Sequence, residues 1–409
     1  MMEQMRYLLV THIAYAQAED GSVVLSSLWG EDLKGLVASV GPITVAAPRL
    51  PSVQSLLAWG PGTMTLTPSD GVTFVALPVH KSRFDPTFSF RTRRVLRQAA
   101  MNADLVHTSN LFDPYTCLYH AHDVAVRHNR KALFVVAEDF YDMLNWEWVR
   151  PTKSPFQKFR RQRALRNLDE QVRKRVASAS LTFLHTPAAV ARYREFAANA
   201  VAIRQPVHES NDVITAEDLA AKCAQIRSGA PLKLVVACRM EPLKGIDFLL
   251  RAIALLKDWN IPVEATLYGG GKYAEPYKLL AQKLGIADIA KFPGTVSPGP
   301  DLRNALGAAH IFLMPHLTSD FGRAFFDAIA AGTPVIAFRS LASQDTVRHR
   351  VDGLIVPNAY VESLADGIAQ FHADREFLVR CAESARSRAL VNTKAEWNRF
   401  RAQMIRELF

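Results

Sequence analysis

Arg239 and Lys244 stand in one loop, between an apolar run, Lys233 to Ala237, and a helical stretch, Ile246 to Lys257. A loop that feeds a helix N-terminus favours an anion, because the first-turn amides have no intrahelical partner. Two cations there can neutralise a diphosphate, including one that departs during bond cleavage. Two surface cations beside Glu241 are the plain alternative. Gly269-Gly270-Gly271 follows the apolar run Val263 to Tyr268. Glycines after a strand let a ligand approach the backbone closely, and an ordinary turn has the same composition. The stretch lacks a full G-x-G-x-x-G, so it is a poor match to a dinucleotide fingerprint.

A second stretch carries acids. Ser319-Asp320-Phe321-Gly322-Arg323-Ala324-Phe325-Phe326-Asp327 reads as a loop opening a short helix that stops at Gly332-Thr333-Pro334. Ser319 or Asp320 can cap that helix. Asp327 has the lone pairs to accept from the two hydroxyls of a ribose, and a solvated helix carboxylate is the alternative. In the first half, His12 and His107 fall at strand ends, where each can carry a proton, orient a hydroxyl or be simply structural. Glu138-Asp139 is a carboxylate pair after the apolar run Leu133 to Ala137. It can act as a base or orient an acceptor hydroxyl.

These residues need a scaffold that ends strands in loops. Tyr7 to Thr11, Ile43 to Ala47, Thr73 to Leu77, Leu105 to His107, Leu133 to Ala137, Leu181 to His185 and Val201 to Ile203 read as strands. His12 to Gly21 reads as a loop, and Ser22 to Leu36 and Phe90 to Met101 as helices. Residues 208–231 are polar and mixed, and read as a linker or irregular join. Beyond them strands and helices alternate again, and a last helix is expected from Lys394 to Leu408. Such alternation predicts parallel sheets covered by helices, with ligands beyond the carboxyl ends of the strands. The fold class is therefore α/β.

At 409 residues the chain is long enough for two cores. Its net charge of +10 favours anionic partners or a basic solvated surface. Phe156 to Val176 concentrates that charge in Lys158, Arg160, Arg161, Arg163, Arg166, Arg173, Lys174 and Arg175, with Phe156, Phe159, Leu165, Leu168 and Val172 as an apolar side. This pattern suits either an anionic membrane face or a helix packed on its own domain. No nucleic-acid module is visible. Cys117, Cys223, Cys238 and Cys381 lie far apart, which argues against a zinc site or a disulfide framework and suits a reducing cytosol. No signal peptide or membrane-spanning run is expected.

As a series, the motifs resemble the donor-binding domain of retaining GT-B glycosyltransferases of family 4. Arg239-Met-Glu-Pro-Leu-Lys244-Gly245 resembles the family's R-x4-K loop. Tyr268 to Gly271 resembles its glycine loop, and Phe292-Pro293-Gly294-Thr295-Val296 its F-x-G-x-V. Ser319 to Ala337 resembles its E-x7-E block, with Ser319 and Asp327 in place of the two glutamates. Asp352 to Pro357 resembles its N-G-L-L-V-P. The matches cover about residues 233–357. In the first half, Glu138-Asp139 stands where the family has an H-D pair, and Asp20-Gly21 where it has two glycines.

The resemblance implies two Rossmann-like domains facing a cleft, 1–207 for the acceptor and 208–389 for the nucleotide sugar, with 390–409 crossing back onto the first. It implies a retaining transfer of a sugar from a nucleotide-diphosphate donor to a carbohydrate or lipid-linked acceptor, in polysaccharide or glycan assembly. No metal or cofactor is expected. Arg239, Lys244, Glu138 and Asp320 would serve the chemistry. Gly21, Gly270, Thr295, Val296, Ser319, Phe321, Gly322, Arg323 and Asp327 would hold the donor, and His12, His107 and Asp139 the acceptor. The expected place is cytoplasmic, at the inner face of a membrane through the basic helix. A silent GT-B scaffold and a nucleotide-sugar epimerase are the rival readings.

Overall fold

The computed structural model describes residues 5–57, 62–80, 87–145, 149–318 and 322–409, and all that follows concerns these. Ser319, Asp320 and Phe321 lie outside them. The chain forms two compact units, one of residues 1–203 with 398–409, the other of residues 204–397.

The first unit is built on a ten-stranded sheet. Its strands are β1 (Tyr7–Val10), β2 (Tyr15–Gln17), β3 (Val23–Ser26), β4 (Ile43–Leu50), β5 (Thr63–Leu66), β6 (Val72–Leu77), β7 (Leu105–Ser109), β8 (Lys131–Val136), β9 (Leu181–Leu184) and β10 (Ala200–Ala202). The order is β10-β9-β8-β7-β1-β4, with β6 also parallel to β4. Chain order reverses between β1 and β7, so the loops after these two strands open at a switch point. Helices α1 (Ser27–Val40), α2 (Val53–Leu57), α3 (Thr87–Met101), α4 (Tyr119–Arg127), α5 (Phe140–Leu144), α6 (Pro155–Ser178) and α7 (Pro187–Tyr193) complete the unit. Leu96, Ala121, Val124, Val172, Val176 and Tyr193 of α3, α4, α6 and α7 share one core with the sheet.

Two expectations are corrected here. The stretch after β1 is not a plain loop leading into a helix at Ser22. β2 and β3 form a hairpin, β2 joins Arg49–Leu50 of β4, β3 joins β5, and α1 starts only at Ser27. Val23 and Leu25 fit a period of two as well as one of 3.6, and the neighbouring strands decide between them. In α6, Leu165, Val172 and Val176 enter the core, whereas Phe156 and Phe159 stand 69% and 60% exposed. The apolar side is thus interrupted in its first turns.

The second unit has a six-stranded, wholly parallel sheet in the order β13-β12-β11-β14-β15-β16. These strands are β11 (Leu232–Ala237), β12 (Val263–Tyr268), β13 (Ala290–Gly294), β14 (Ile311–Met314), β15 (Val335–Phe338) and β16 (Gly353–Val356). Both faces are covered, so the strands read as apolar runs. The helices are α8 (Ala216–Arg227), α9 (Ile246–Asp258), α10 (Ala274–Lys283), α11 (Pro300–Gly307), α12 (Ala324–Ala330), α13 (Leu341–Thr346), α14 (Val361–Ala373) and α15 (Arg375–Leu390). One core takes in α8, α9, α10, α14 and the first half of α15, the other α11, α12 and the last turns of α15. Residues 208–231 are not an irregular join. Thr215 caps α8 by accepting from the Asp218 amide, and Leu219, Cys223 and Ile226 bury its apolar side.

The last helix, α16 (Lys394–Arg406), begins in the second unit, and from Asn398 onward belongs to the first. There Arg406 donates to the Ser39 carbonyl at the end of α1.

Candidate active site

In the second unit chain order reverses between β11 and β14, so the loops after these strands diverge and leave a crevice at their carboxyl ends. The loop after β11 carries Arg239 to Gly245. It is pinned on two sides. Toward β12, the Cys238 amide donates to Tyr268 O at 3.1 Å and the Met240 amide to Gly270 O at 2.9 Å. Toward β14, the Leu317 amide donates to Leu243 O at 2.9 Å. The β12 loop is tied in turn to β13, the Gly269 amide donating to Gly294 O at 2.8 Å.

Two glycines make these approaches possible. Gly269 has φ +146°, and a Cβ there would overlap the Cys238 carbonyl oxygen. Gly245 has φ +64°, and a Cβ there would overlap the Pro315 carbonyl oxygen. Neither the conformation nor the space admits another residue at ordinary cost.

This packing gathers several of the expected residues. Lys244 closes a single 3-10 turn, Pro242–Lys244, just before α9, and is only 8% exposed. Removed from bulk water beside a helix start, its ammonium acts on an anion with less screening than a surface lysine would. Arg239 is exposed and pairs with Glu241 at 3.0 Å. Gly270 faces Thr295, whose methyl would lie 3.2 Å from a Cβ at 270, and Val296 follows. Gly322 stands by His316 and the Met314 sulfur, and exposed Arg323 leads into α12.

Asp327, in the first turn of α12, is 4% exposed, and its buried Oδ1 accepts no hydrogen bond. Burial pushes its carboxyl up to about 6, against the pull of Arg303. The Arg303 guanidinium on α11 comes no nearer than 3.9 Å to that oxygen, and donates at 2.5 Å to Asp212 instead. A buried carboxylate with an open acceptor position is what a hydroxyl-bearing ligand needs. Arg303, Asp212 and His316 carry no motif signal. The Asp212 to Arg303 bond joins residues 91 apart in sequence, so only the fold reveals it.

The candidates in the first unit are distributed differently. His12 follows β1 at the switch point, its Nδ1 buried and without a hydrogen bond, its ring 5.5 Å from that of Tyr115. Burial holds it toward the neutral form. His107 lies within β7 opposite Leu9, and its Nδ1 shares a 2.7 Å hydrogen bond with the Tyr7 hydroxyl. Its position is inside the sheet, short of the loop at its end. Glu138 is exposed just after β8, its carbonyl accepting from the Asn110 side chain. Asp139 is committed twice: Oδ1 accepts from the Tyr141 amide, and Oδ2 pairs with Arg192 at 3.1 Å. Gly21 sits in the β2–β3 turn, its amide donating to Ala18 O. Among the described residues no group of three or more His, Cys, Asp and Glu is placed to hold a metal.

Residues 224–388 match the family described as Glycosyl transferases group 1. A GDP-mannose-dependent alpha-(1-6)-phosphatidylinositol monomannoside mannosyltransferase of Mycobacterium tuberculosis is 32% identical over 185 residues, 44% of this chain and 47% of that protein. A D-inositol 3-phosphate glycosyltransferase of Streptomyces griseus is 33% identical over 179 residues, 41% of this chain and 38% of that protein. These matches thus span less than half the length of either relative. Among solved structures, Anabaena HepE in complex with UDP aligns over 99% of this chain and 100% of its own, with a TM-score of 0.68 and 16% identity. The sucrose-phosphate synthase of Thermosynechococcus elongatus aligns over 99% of both, with a TM-score of 0.69 and 17% identity. The chain has the α/β fold seen in these GT-B glycosyltransferase structures, and its residues 224–388 are similar to the glycosyl transferases group 1 family.

Proposed function

We propose that the chain transfers a sugar from a nucleotide-diphosphate donor to a carbohydrate or lipid-linked acceptor, with retention at the anomeric carbon. The observation that carries this reading is Lys244, buried at the start of α9 in a loop that backbone bonds fix against the next two loops. Lys244 and Arg239 hold the diphosphate and stabilise the charge that grows on it as the bond to the sugar breaks, so no metal or cofactor is required. Asp327 accepts from the ribose hydroxyls, and the loop from Phe292 to Val296 lies along the base. Gly322 and Arg323 border the sugar.

In the first unit, His12 is the leading acceptor-side candidate, because its ring nitrogen is open where Asp139 is already paired. The M. tuberculosis relative, by its name, mannosylates a lipid-linked inositol. An acceptor of that kind, in glycan or polysaccharide assembly, suits the exposed start of α6. Phe156 and Phe159 stand there among exposed Lys158, Arg160, Arg161, Arg163 and Arg166. Apolar rings set among cations favour an anionic membrane face at the cytoplasmic side. No helix among the described residues is long and apolar enough to cross a membrane. Co-sedimentation with anionic vesicles at low salt, absent with neutral ones, is the expected result.

The test of the transfer is turnover of a panel of UDP- and GDP-sugars with inositol-, saccharide- and lipid-linked acceptors, the product anomer read by NMR. One donor should turn over with its configuration kept. Selective nucleotide binding without turnover would instead support a silent scaffold, and sugar interconversion without acceptor an epimerase.

A further inference from the structure

Asp327, Arg303 and Asp212 form a graded chain of charges in the second unit. The Asp327 side chain is 5% exposed, Arg303 16% and Asp212 28%. Asp212 and Arg303 line an open groove of about 560 Å³ with Asn211, Asp218 and Asn304, so water reaches their end of the chain. The guanidinium is spent on the wetter carboxylate, at 2.5 Å, and only grazes the drier one, at 3.9 Å. Asp212 is itself fixed, since its other oxygen accepts from the Glu209 amide at 2.8 Å. The segment before α8 therefore decides where Arg303 points.

We infer that Arg303 is a positioning residue for Asp327, and that Asp212 competes for its guanidinium, so that the two together set the pH above which the site accepts a ribose. This rests on Asp327 as the ribose carboxylate. The ionised carboxylate accepts from both hydroxyls, whereas the protonated one has lost an acceptor position. Burial raises the Asp327 carboxyl, Asp212 raises it further, and Arg303 and Arg323 lower it. The other charges near α12 are occupied. Arg388 of α15 donates to the Thr346 carbonyl and to Asp352 and lies over the Phe325 ring. Arg386 of α15 donates to Ile214 O. Lys222 of α8 donates to Ala331 O and Thr333 Oγ1 at the far end of α12. β15 contributes no charge, Asp301 of α11 is exposed, and His316 after β14 lies against Gly322.

The experiment is calorimetric titration of the whole protein with UDP-glucose and GDP-mannose across mildly acidic to neutral pH. Nucleotide sugars are the right probes, because a terminal phosphate would itself titrate near about 6. Affinity of the wild-type protein should fall as the pH drops through about 6. Asp212→Asn removes the competitor and should move that midpoint down by about half a unit or more, and Arg303→Gln should move it up by a similar amount. Arg303→Lys should restore most of the wild-type profile, which separates charge from folding. Midpoints that stay put in both variants, or move the same way, overturn the inference. Asp327→Asn isolates the underlying reading. If it binds like wild type at every pH, the ribose assignment fails, and the role of Arg303 with it. If it loses binding while Arg303→Gln and Asp212→Asn keep the wild-type midpoint, only the role of Arg303 fails.

Discussion

Both units end their strands in loops at a switch point, yet Asp327 of the second and Asp139 of the first are used in opposite ways. In the second unit the loops are locked to one another by backbone bonds, and side chains such as Asp327 keep an open acceptor oxygen. In the first unit the acid after β8 and the histidine of β7 are tied up by other side chains. Asp139 pairs with Arg192, Arg192 reaches Asp169 at 4.0 Å, and Asp169 accepts from the Tyr193 hydroxyl. His107 is held by Tyr7 in the same way. Where the backbone supplies the rigidity, side chains remain available for a ligand.

Several substitutions bear on this contrast. The largest effect is expected from Gly269→Ala, which needs a strained backbone and collides with the Cys238 carbonyl. It should cost the second unit about 3 kcal/mol or more in denaturant unfolding, and nucleotide binding with it. A cost near zero would mean that backbone approach does not organise this site. Next comes Lys244→Ala, which should lower kcat/KM for the nucleotide sugar by about 10²-fold while the fold persists. Near-normal turnover would remove Lys244 from the mechanism.

Asp327→Asn should do the reverse to stability. A carboxyl whose folded value is about 6, above its ordinary 3.8, binds its proton more tightly in the native state. Native stability therefore declines as the pH rises through that window, and the ionised buried group is a net cost above it. The amide should gain about 2 kcal/mol at neutral pH, and the gain should vanish near about pH 4. Equal melting temperatures at both pH values would show that burial does not strain this carboxylate. The smallest effect should be that of Tyr7→Phe, about 1 kcal/mol from the lost partner of His107, with turnover unchanged. A large loss of turnover would return His107 to the acceptor site.

The same contrast explains what the sequence discloses. A crevice made by loops needs glycine where backbones meet and a cation before a helix, and both leave a local spacing. Arg239 to Gly245, Tyr268 to Gly271 and Gly322 to Pro334 are therefore visible without coordinates. A site or scaffold made by paired side chains leaves no such record. Arg303 finds Asp212, and Asp139 finds Arg192, only once distant segments pack. The hairpin after β1 has a related cause, since β2 and β5 select the strand over the helix for Val23 to Ser26. Helix α8 is polar on most of its surface, and its narrow apolar side is recognisable chiefly from the core it meets.

The central claim is that Lys244 and its loop bind a diphosphate. The direct measurement is the affinity of UDP and GDP against that of uridine and guanosine, in wild type and in Lys244→Ala. In wild type the diphosphate should tighten binding of the preferred nucleoside by about 10²-fold, and in the variant that advantage should shrink by about tenfold or more. An advantage of the same size in both proteins would contradict the account.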